Sequence, residues 1–239
     1  MKEMRFFYVP DAQMADELPE EEAMHALRVL RLKSGDEMML TDGEGNFYRA
    51  EITIAATRKC MFRLLETLPQ KPLWHGKLHL VVSPTKMMER MEWMIEKATE
   101  IGFDRISFLN CDNSERRVVK TRRLEKIVVA AMKQSRKAWK PQVDEIVTFD
   151  EFLTVPNDGL RYIAHCYEEI PKIDLYADLM TADKDASVTI MIGPEGDFST
   201  EEVEKAIAAG YKSVSLGESR LRTETAALAS VMMANLCKR

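Results

Sequence analysis

SVTIMIGPEGDFSTEEVEKAIAAGYKSVSLGESRLRTETAALAS, residues 187–230, holds two strand–turn–helix units in succession. The opening apolar run reads as a buried strand ending at Ile192, since it lacks the alternation of a strand with one wet face. The chain then turns through Gly193-Pro194-Glu195-Gly196, and Ser199 with Glu202 three residues on forms a capping box that opens a helix over about 200–209. A second strand, KSVSL, ends at Gly217, and Glu218 to Thr225 lead into a last helix over about 224–237. In open α/β sheets, ligands are taken up by loops at the carboxyl ends of strands. Two such loops, each with a glycine that permits close backbone approach, can enclose a flat heteroaromatic through main-chain hydrogen bonds. They can equally be two ordinary turns with a helix cap at Thr223. A phosphate cradle does not fit: neither G-x-x-x-x-G-K-[ST] nor G-x-G-x-x-G is present, which disfavours a dinucleotide or a nucleoside triphosphate.

Upstream, from residue 77, strand and helix patterns alternate: KLHLVVS, a helix over about Met87 to Ile101, DRISFLN, a helix over about 121–139, QVDEIVTF and LRYIAHC. Such alternation predicts a mainly parallel sheet with helices on both faces. Pro69-Gln70-Lys71-Pro72 reads as a linker, because two prolines in four residues stop both helix and central strand. Before it lies a β-rich unit with one helix. RFFYV at 5–9 suits a strand, and PEEEAMHALRVLRL at 19–32 suits a helix with Ala23, Leu27 and Leu30 on one face. EMML, FYRAEITIA and CMFRLLETL follow as short strands separated by turn residues. This unit resembles the PUA-like barrels that grip RNA. The division predicted is 1–71 and 72–239.

The 239 residues are 46% hydrophobic and 31% charged, which excludes a disordered or fibrous chain. Net charge is -5, so any polyanion partner must meet a local basic patch. One exists: residues 113–140 carry ten Lys or Arg against two Glu. On a helix, Leu124, Ile127, Val128, Ala131, Ser135 and Ala138 fall at core spacing, while Arg122, Lys126, Lys133, Lys137 and Lys140 line the other side. A solvated face is one reading. RNA or DNA contact is the other, since a run nearly all of one sign repels itself until a polyanion covers it. Arg28 and Arg31 extend that track or cap their own helix. Cys60, Cys111, Cys166 and Cys237 are scattered, without Cys-x-x-Cys or metal-ligand spacing, so neither a metal site nor a disulfide framework is expected. The N-terminal residues lack a secretory pattern, and the longest uncharged run, Thr225 to Cys237, is too short to span a bilayer. A cytoplasmic protein without membrane contact is the expectation.

The pair IGPEGDFSTEE and LGESRLRTETAALAS resembles the paired motifs of the SPOUT (trefoil-knotted) RNA methyltransferases, and within them the 16S ribosomal RNA uracil N3-methyltransferases of RsmE type. MRFFYV, HALRVLRLKSGDEMMLTDGEGNFY, KMMERMEWMIEKATEIG, NSER and QSRKAWKPQV agree in the same order, so the resemblance covers nearly the whole chain. It implies a PUA-like domain followed by a knotted α/β domain that binds S-adenosylmethionine and works as a homodimer on small-subunit ribosomal RNA or the assembled 30S subunit. By position, the cofactor loops are Ala164 and His165, then Gly193, Pro194, Glu195 and Gly196, then Leu216, Gly217, Leu221 and Arg222. The residues expected to contact RNA are Arg28, Arg31, Arg116, Arg122, Lys126, Lys133 and one of Arg136 and Lys137.

This chain departs from the family pattern at Asp197, where a second Gly is usual, and at Glu218-Ser219-Arg220, where Pro-Arg-Ile is usual. Methylation at uracil N3 requires an unpaired base and removal of the N3 proton, so catalysis rests on positioning and on stabilising the uridine anion. Arg222 is the candidate for that electrostatic task, with Glu195 and Glu224 orienting Arg222, shuttling the proton or shaping the loop. No metal is required. The last helix, rich in small residues, is expected either at a dimer interface or packed on its own sheet. The alternatives are a SPOUT methyltransferase acting on transfer RNA, and a non-catalytic RNA-binding ribosome-assembly factor.

Overall fold

A computed structural model describes residues 4–239, so the first three residues of the N-terminal stretch read above lie outside it. Two compact units make up the chain. One takes the chain up to Pro72 together with Val129–Lys140; the other takes Leu73–Val128 and Pro141–Arg239.

The first unit is a four-stranded sheet in chain order: β1 (Phe6–Tyr8), β2 (Glu37–Thr41), β3 (Asn46–Ala55) and β4 (Cys60–Pro69). β1 runs parallel to β2, and the longer strands pair antiparallel with bulges between Arg49 and Ala50 and between Ile52 and Ile54. Alternate residues Met38, Leu40, Tyr48, Ala50, Ile52 and Phe62 turn inward and meet Ala23 and Ala26 of the helical segment. That segment is α1 (Glu20–Met24), which widens into a π-helical stretch at His25–Val29, with the Leu30 amide donating to His25 O over 3.1 Å. Three glutamates in its first turn face the positive end of the helix dipole. Arg31, at φ +56°, ends the helix just short of the expected 32.

The second unit contains a seven-stranded sheet, parallel throughout, in the order β7-β6-β5-β10-β8-β11-β9. These strands are β5 (Leu78–Val82), β6 (Arg105–Asn110), β7 (Gln142–Thr148), β8 (Leu160–Ala164), β9 (Ile173–Asp174), β10 (Val188–Ile192) and β11 (Lys212–Ser215). Each strand sends alternate residues to opposite faces. Leu80, Ile190, Tyr162 and Val214 pack with α2 (Met88–Ile101), the start of α3 (Thr121–Gln134), α5 (Leu175–Thr181) and α7 (Thr223–Cys237). Val81, Met191 and Ile163 pack with α4 (Phe149–Thr154) and α6 (Thr200–Ala208). Burial on both faces explains the continuous apolar runs, and each such Leu, Ile, Val or Met contributes about 1.5–3 kcal/mol.

The strands and long helices fall where the alternation predicts; α4, β9 and α5 are additional, short elements. The helix expected over 121–139 stops at Gln134. Ser135 turns its hydroxyl back to Ala131 O over 2.7 Å, and Arg136 adopts φ +53°, reversing the chain. The expected basic stripe is thereby corrected. Lys137 lies beyond the helix and is 8% exposed, and Lys140 sits with its ammonium 5.8 Å from the centre of the Tyr8 ring.

Candidate active site

Strands β10, β8 and β11 are neighbours, and Ala164 of β8 is in register with both Ile192 and Val214. The loops that begin at His165, Gly193 and Leu216 therefore leave one edge of the sheet side by side. Specific bonds tie them together. The Thr223 hydroxyl donates to Gly193 O over 3.0 Å, joining the end of the third loop to the start of the second. Asp197 accepts the Cys166 amide at 2.7 Å on Oδ2 and its neighbour Phe198's amide at 2.8 Å on Oδ1, joining the second loop to the first. Tyr167 adds a bond to Phe198 O at 2.7 Å.

The other flank is held as firmly. Asn113, from the loop after β6, donates to Gly196 O at 3.3 Å and Asp197 O at 3.1 Å. Glu195 Oε1 accepts the Lys86 amide, from the loop after β5, at 2.9 Å. Two glycines here answer to different needs. A Cβ on Gly193 would sit 3.0 Å from Phe198, a limit of space, whereas Gly217 at φ +121° would meet nothing within 4 Å, a limit of conformation beside open space.

His165 is 7% exposed; Nε2 lies 2.7 Å from Ser213 Oγ, and Nδ1 is buried with no partner. Burial, then the positive charge of Lys172, pushes its pKa down, so the ring is neutral at neutral pH. Arg222 occupies the N-cap position of α7 and is exposed, while Leu221 beside it is half-buried. Neither carboxylate expected to orient Arg222 is bonded to it. Glu195 instead holds Lys86, and Glu224, 7% exposed, pairs through Oε1 with Arg90 at 3.4 Å and leaves Oε2 buried without a partner.

The structure therefore sets side by side the loops that carry the residues expected to hold a cofactor, Ala164, His165, Gly193–Gly196, Leu216, Gly217, Leu221 and Arg222. The basic residues are more dispersed in role. Arg28 and Arg31 are exposed at the end of the first helix, and Arg122 and Lys126 are exposed on α3. Arg116 donates to Lys86 O at 2.6 Å and Thr85 O at 3.2 Å, bracing the loop after β5. Lys133 is ion-paired with Glu22, and Lys137 is buried; only Arg136 of the pair 136/137 is exposed. Sequence reasoning overlooked Asn113 and Lys86, whose partners lie more than eighty residues away, and treated Asp197 only as a departure. Among the described residues no three His, Cys, Asp or Glu side chains are grouped as a metal site, and no helix is long and apolar enough to cross a membrane.

Matches to known families place this parallel α/β sheet and its small β unit among the RNA methyltransferases. The RNA methyltransferase domain family matches residues 72–235, and the RNA methyltransferase PUA domain family matches 18–64. A ribosomal RNA small subunit methyltransferase E from Rickettsia conorii is 32% identical over 225 residues, covering 92% of this chain and 89% of its own. The crystal structure of a "probable rRNA-methyltransferase" from Porphyromonas gingivalis superposes with TM-score 0.89 at 40% identity over 98% of both chains. That of a ribosomal RNA small subunit methyltransferase E from Neisseria gonorrhoeae, bound to S-adenosyl methionine, superposes with TM-score 0.83 at 26% identity over 96% of this chain and 95% of its own. The chain belongs to the family of ribosomal RNA small subunit methyltransferase E.

Proposed function

We propose that this protein methylates N3 of a uridine in 16S ribosomal RNA, using S-adenosylmethionine, as a cytoplasmic homodimer. The observation that carries the reading is the convergence of three strand-end loops, fastened by the Thr223–Gly193 and Asp197–Cys166 bonds. The residues fit a methyl donor of that kind: Gly217 stands beside open space, and the neutral His165 keeps one buried nitrogen unpaired. Ala164, His165, Gly193, Pro194, Glu195, Gly196, Leu216, Gly217, Leu221 and Arg222 would hold it. When bound, S-adenosylmethionine supplies an electrophilic methyl group. The SPOUT trefoil knot belongs to this reading, as do residues 1–71 as the RNA grip and 72–239 as the transferase.

Arg222 stabilises negative charge as it develops on the uracil. With the N3 proton passed to a carboxylate, the N3 lone pair would bond to the methyl carbon as the sulfur–methyl bond of the donor breaks, its electrons staying on sulfur and the demethylated thioether leaving. Glu224 suits proton acceptance better than Glu195, because its Oε2 has no partner while Glu195 already accepts the Lys86 amide. Arg28, Arg31, Arg122, Lys126 and Arg136 offer charge to RNA phosphates. A second copy packs on the outer face of α7, where Met232 and Leu236 are exposed. Mass-spectrometric mapping of 16S RNA from a deletion strain, with and without the restored gene, tests the assignment. One uridine is expected to lose and regain its methyl group, and an unchanged modification map would defeat the reading.

A further inference from the structure

Along the Arg220–Thr225 segment, which closes the third loop, lies a cleft of about 600 Å³. That volume is in the range that takes a nucleotide-sized ligand. It is open to solvent and lined by Arg222, Glu224, Leu221, Arg90, Trp93 and Arg220. Trp93 is 49% exposed on α2, three residues and thus one turn from Arg90, so ring and guanidinium share a helix face. Glu224 is 7% exposed, and only one of its oxygens is engaged, by Arg90. A buried carboxylate oxygen left unpaired is costly and calls for a donor from outside the chain.

We infer that this cleft receives the extruded pyrimidine base itself, with Trp93 as the stacking platform and Glu224, paired with Arg90, reading the base edge. The inference rests on the methyltransferase reading and adds to it the means of base selection. The pairing edge of uracil presents an acceptor, the N3–H donor and a second acceptor in a row. The Glu224 carboxylate supplies an acceptor for N3–H, and the Arg90 guanidinium paired with it supplies a donor for a neighbouring carbonyl. Cytosine has a bare acceptor at N3, which would face the Glu224 carboxylate and be repelled, so the same groups select against it. The location is consistent with the chemistry, because Leu221 and Arg222 line the cleft and also belong to the loop fastened to Gly193 through Thr223. A base held there lies against the segment that also borders the methyl donor.

The test uses the full-length protein, an oligoribonucleotide spanning the mapped uridine, and its counterpart with cytidine at that position. Wild type is expected to bind the uridine form more tightly. Trp93→Ala is expected to weaken that binding, and raise KM for 30S subunits from the deletion strain, by about tenfold, as loss of one aromatic–base stack does. Affinity for S-adenosylmethionine measured by calorimetry should not change, and Trp93→Phe should restore RNA binding. Glu224→Gln, which puts an amide where the acceptor stood, should erode the preference for uridine over cytidine. Wild-type affinity and KM in Trp93→Ala, or an unaltered base preference in Glu224→Gln, would overturn the inference. So would sedimentation showing that Trp93→Ala dissociates a dimer, which would make the cleft a subunit interface. A wild-type protein that shows the uridine preference but no turnover would uphold the base pocket and defeat the enzymatic reading instead.

Discussion

The hydroxyl of Thr223 and the carbonyl of Gly193, thirty positions apart in sequence, are hydrogen-bonded at 3.0 Å in a buried setting, so the first residue of α7 latches the loop that follows β10. Thr223→Val keeps the shape and removes the donor. With a buried carbonyl left unpaired, stability to urea is expected to fall by about 1–2 kcal/mol. Calorimetry should show weaker binding of S-adenosylmethionine in the same variant. Unchanged affinity would mean the two loops do not depend on the latch.

Arg222 stands at the same junction but carries no bond from Glu195 or Glu224, and its side chain is exposed. Removing it leaves no buried charge behind. Arg222→Ala is therefore expected to fold with wild-type stability, to within about 0.5 kcal/mol. Its turnover should fall by about a hundred- to a thousandfold, as for loss of one group that stabilises developing negative charge. Single-turnover rates on 30S subunits measure this, and a wild-type rate would remove Arg222 from the mechanism.

Asp197 holds φ +64°, a left-handed conformation that costs an ordinary residue about 1 kcal/mol and glycine almost nothing. Its carboxylate offsets the cost through the Cys166 and Phe198 amides. Asp197→Gly loses the bonds and relieves the strain, while Asp197→Ala loses the bonds and keeps the strain. The alanine variant is expected to be less stable than the glycine variant by about 1 kcal/mol, read from urea midpoints measured side by side. Equal midpoints would show that the backbone relaxes once the carboxylate is gone.

These cases show what the sequence could and could not reveal. The capping box is local, and it appears as expected, with Ser199 Oγ accepting the Glu202 amide at 3.2 Å and Glu202 Oε2 accepting the Ser199 amide at 2.8 Å. The buried strands were legible for the same reason: an unbroken apolar run has few other places to go. The end of α3 was not, because Arg136 takes a turn conformation that pattern reasoning reserves for Gly or Asn. Partners distant in sequence were also hidden. Nothing around Glu195 announces Lys86, and nothing around Lys133 announces Glu22.

That last pair changes what a charge substitution should do. Glu22 is 8% exposed and ion-paired with Lys133, so Lys133→Ala strands a carboxylate. Loss of stability by about 2–3 kcal/mol is expected to dominate its phenotype. Arg122, exposed on α3, should behave in the opposite way. Arg122→Ala should leave the melting temperature unchanged and reduce the log–log salt dependence of RNA binding by about one unit. If Lys133→Ala instead melts like wild type and lowers the salt slope, its contact with RNA outweighs its structural pairing.

His79 gives the pH dependence. Its Nε2 lies 2.7 Å from Ser107 Oγ, and burial, followed by the charge of Arg105, lowers its pKa to about 4, with Asp144 working weakly against them. An unfolded histidine titrates near about 6.5. Between those values the unfolded chain holds a proton that the native state refuses, so stability declines as pH falls through the window and this group adds no further loss below it. The total is about 3 kcal/mol at most. His79→Gln cannot titrate, so the difference in unfolding free energy between wild type and variant, measured in urea at pH 7 and again near pH 4.5, should shift in the variant's favour as pH drops. Parallel pH profiles would show that His79 is protonated in the folded protein and that its burial carries no electrostatic cost.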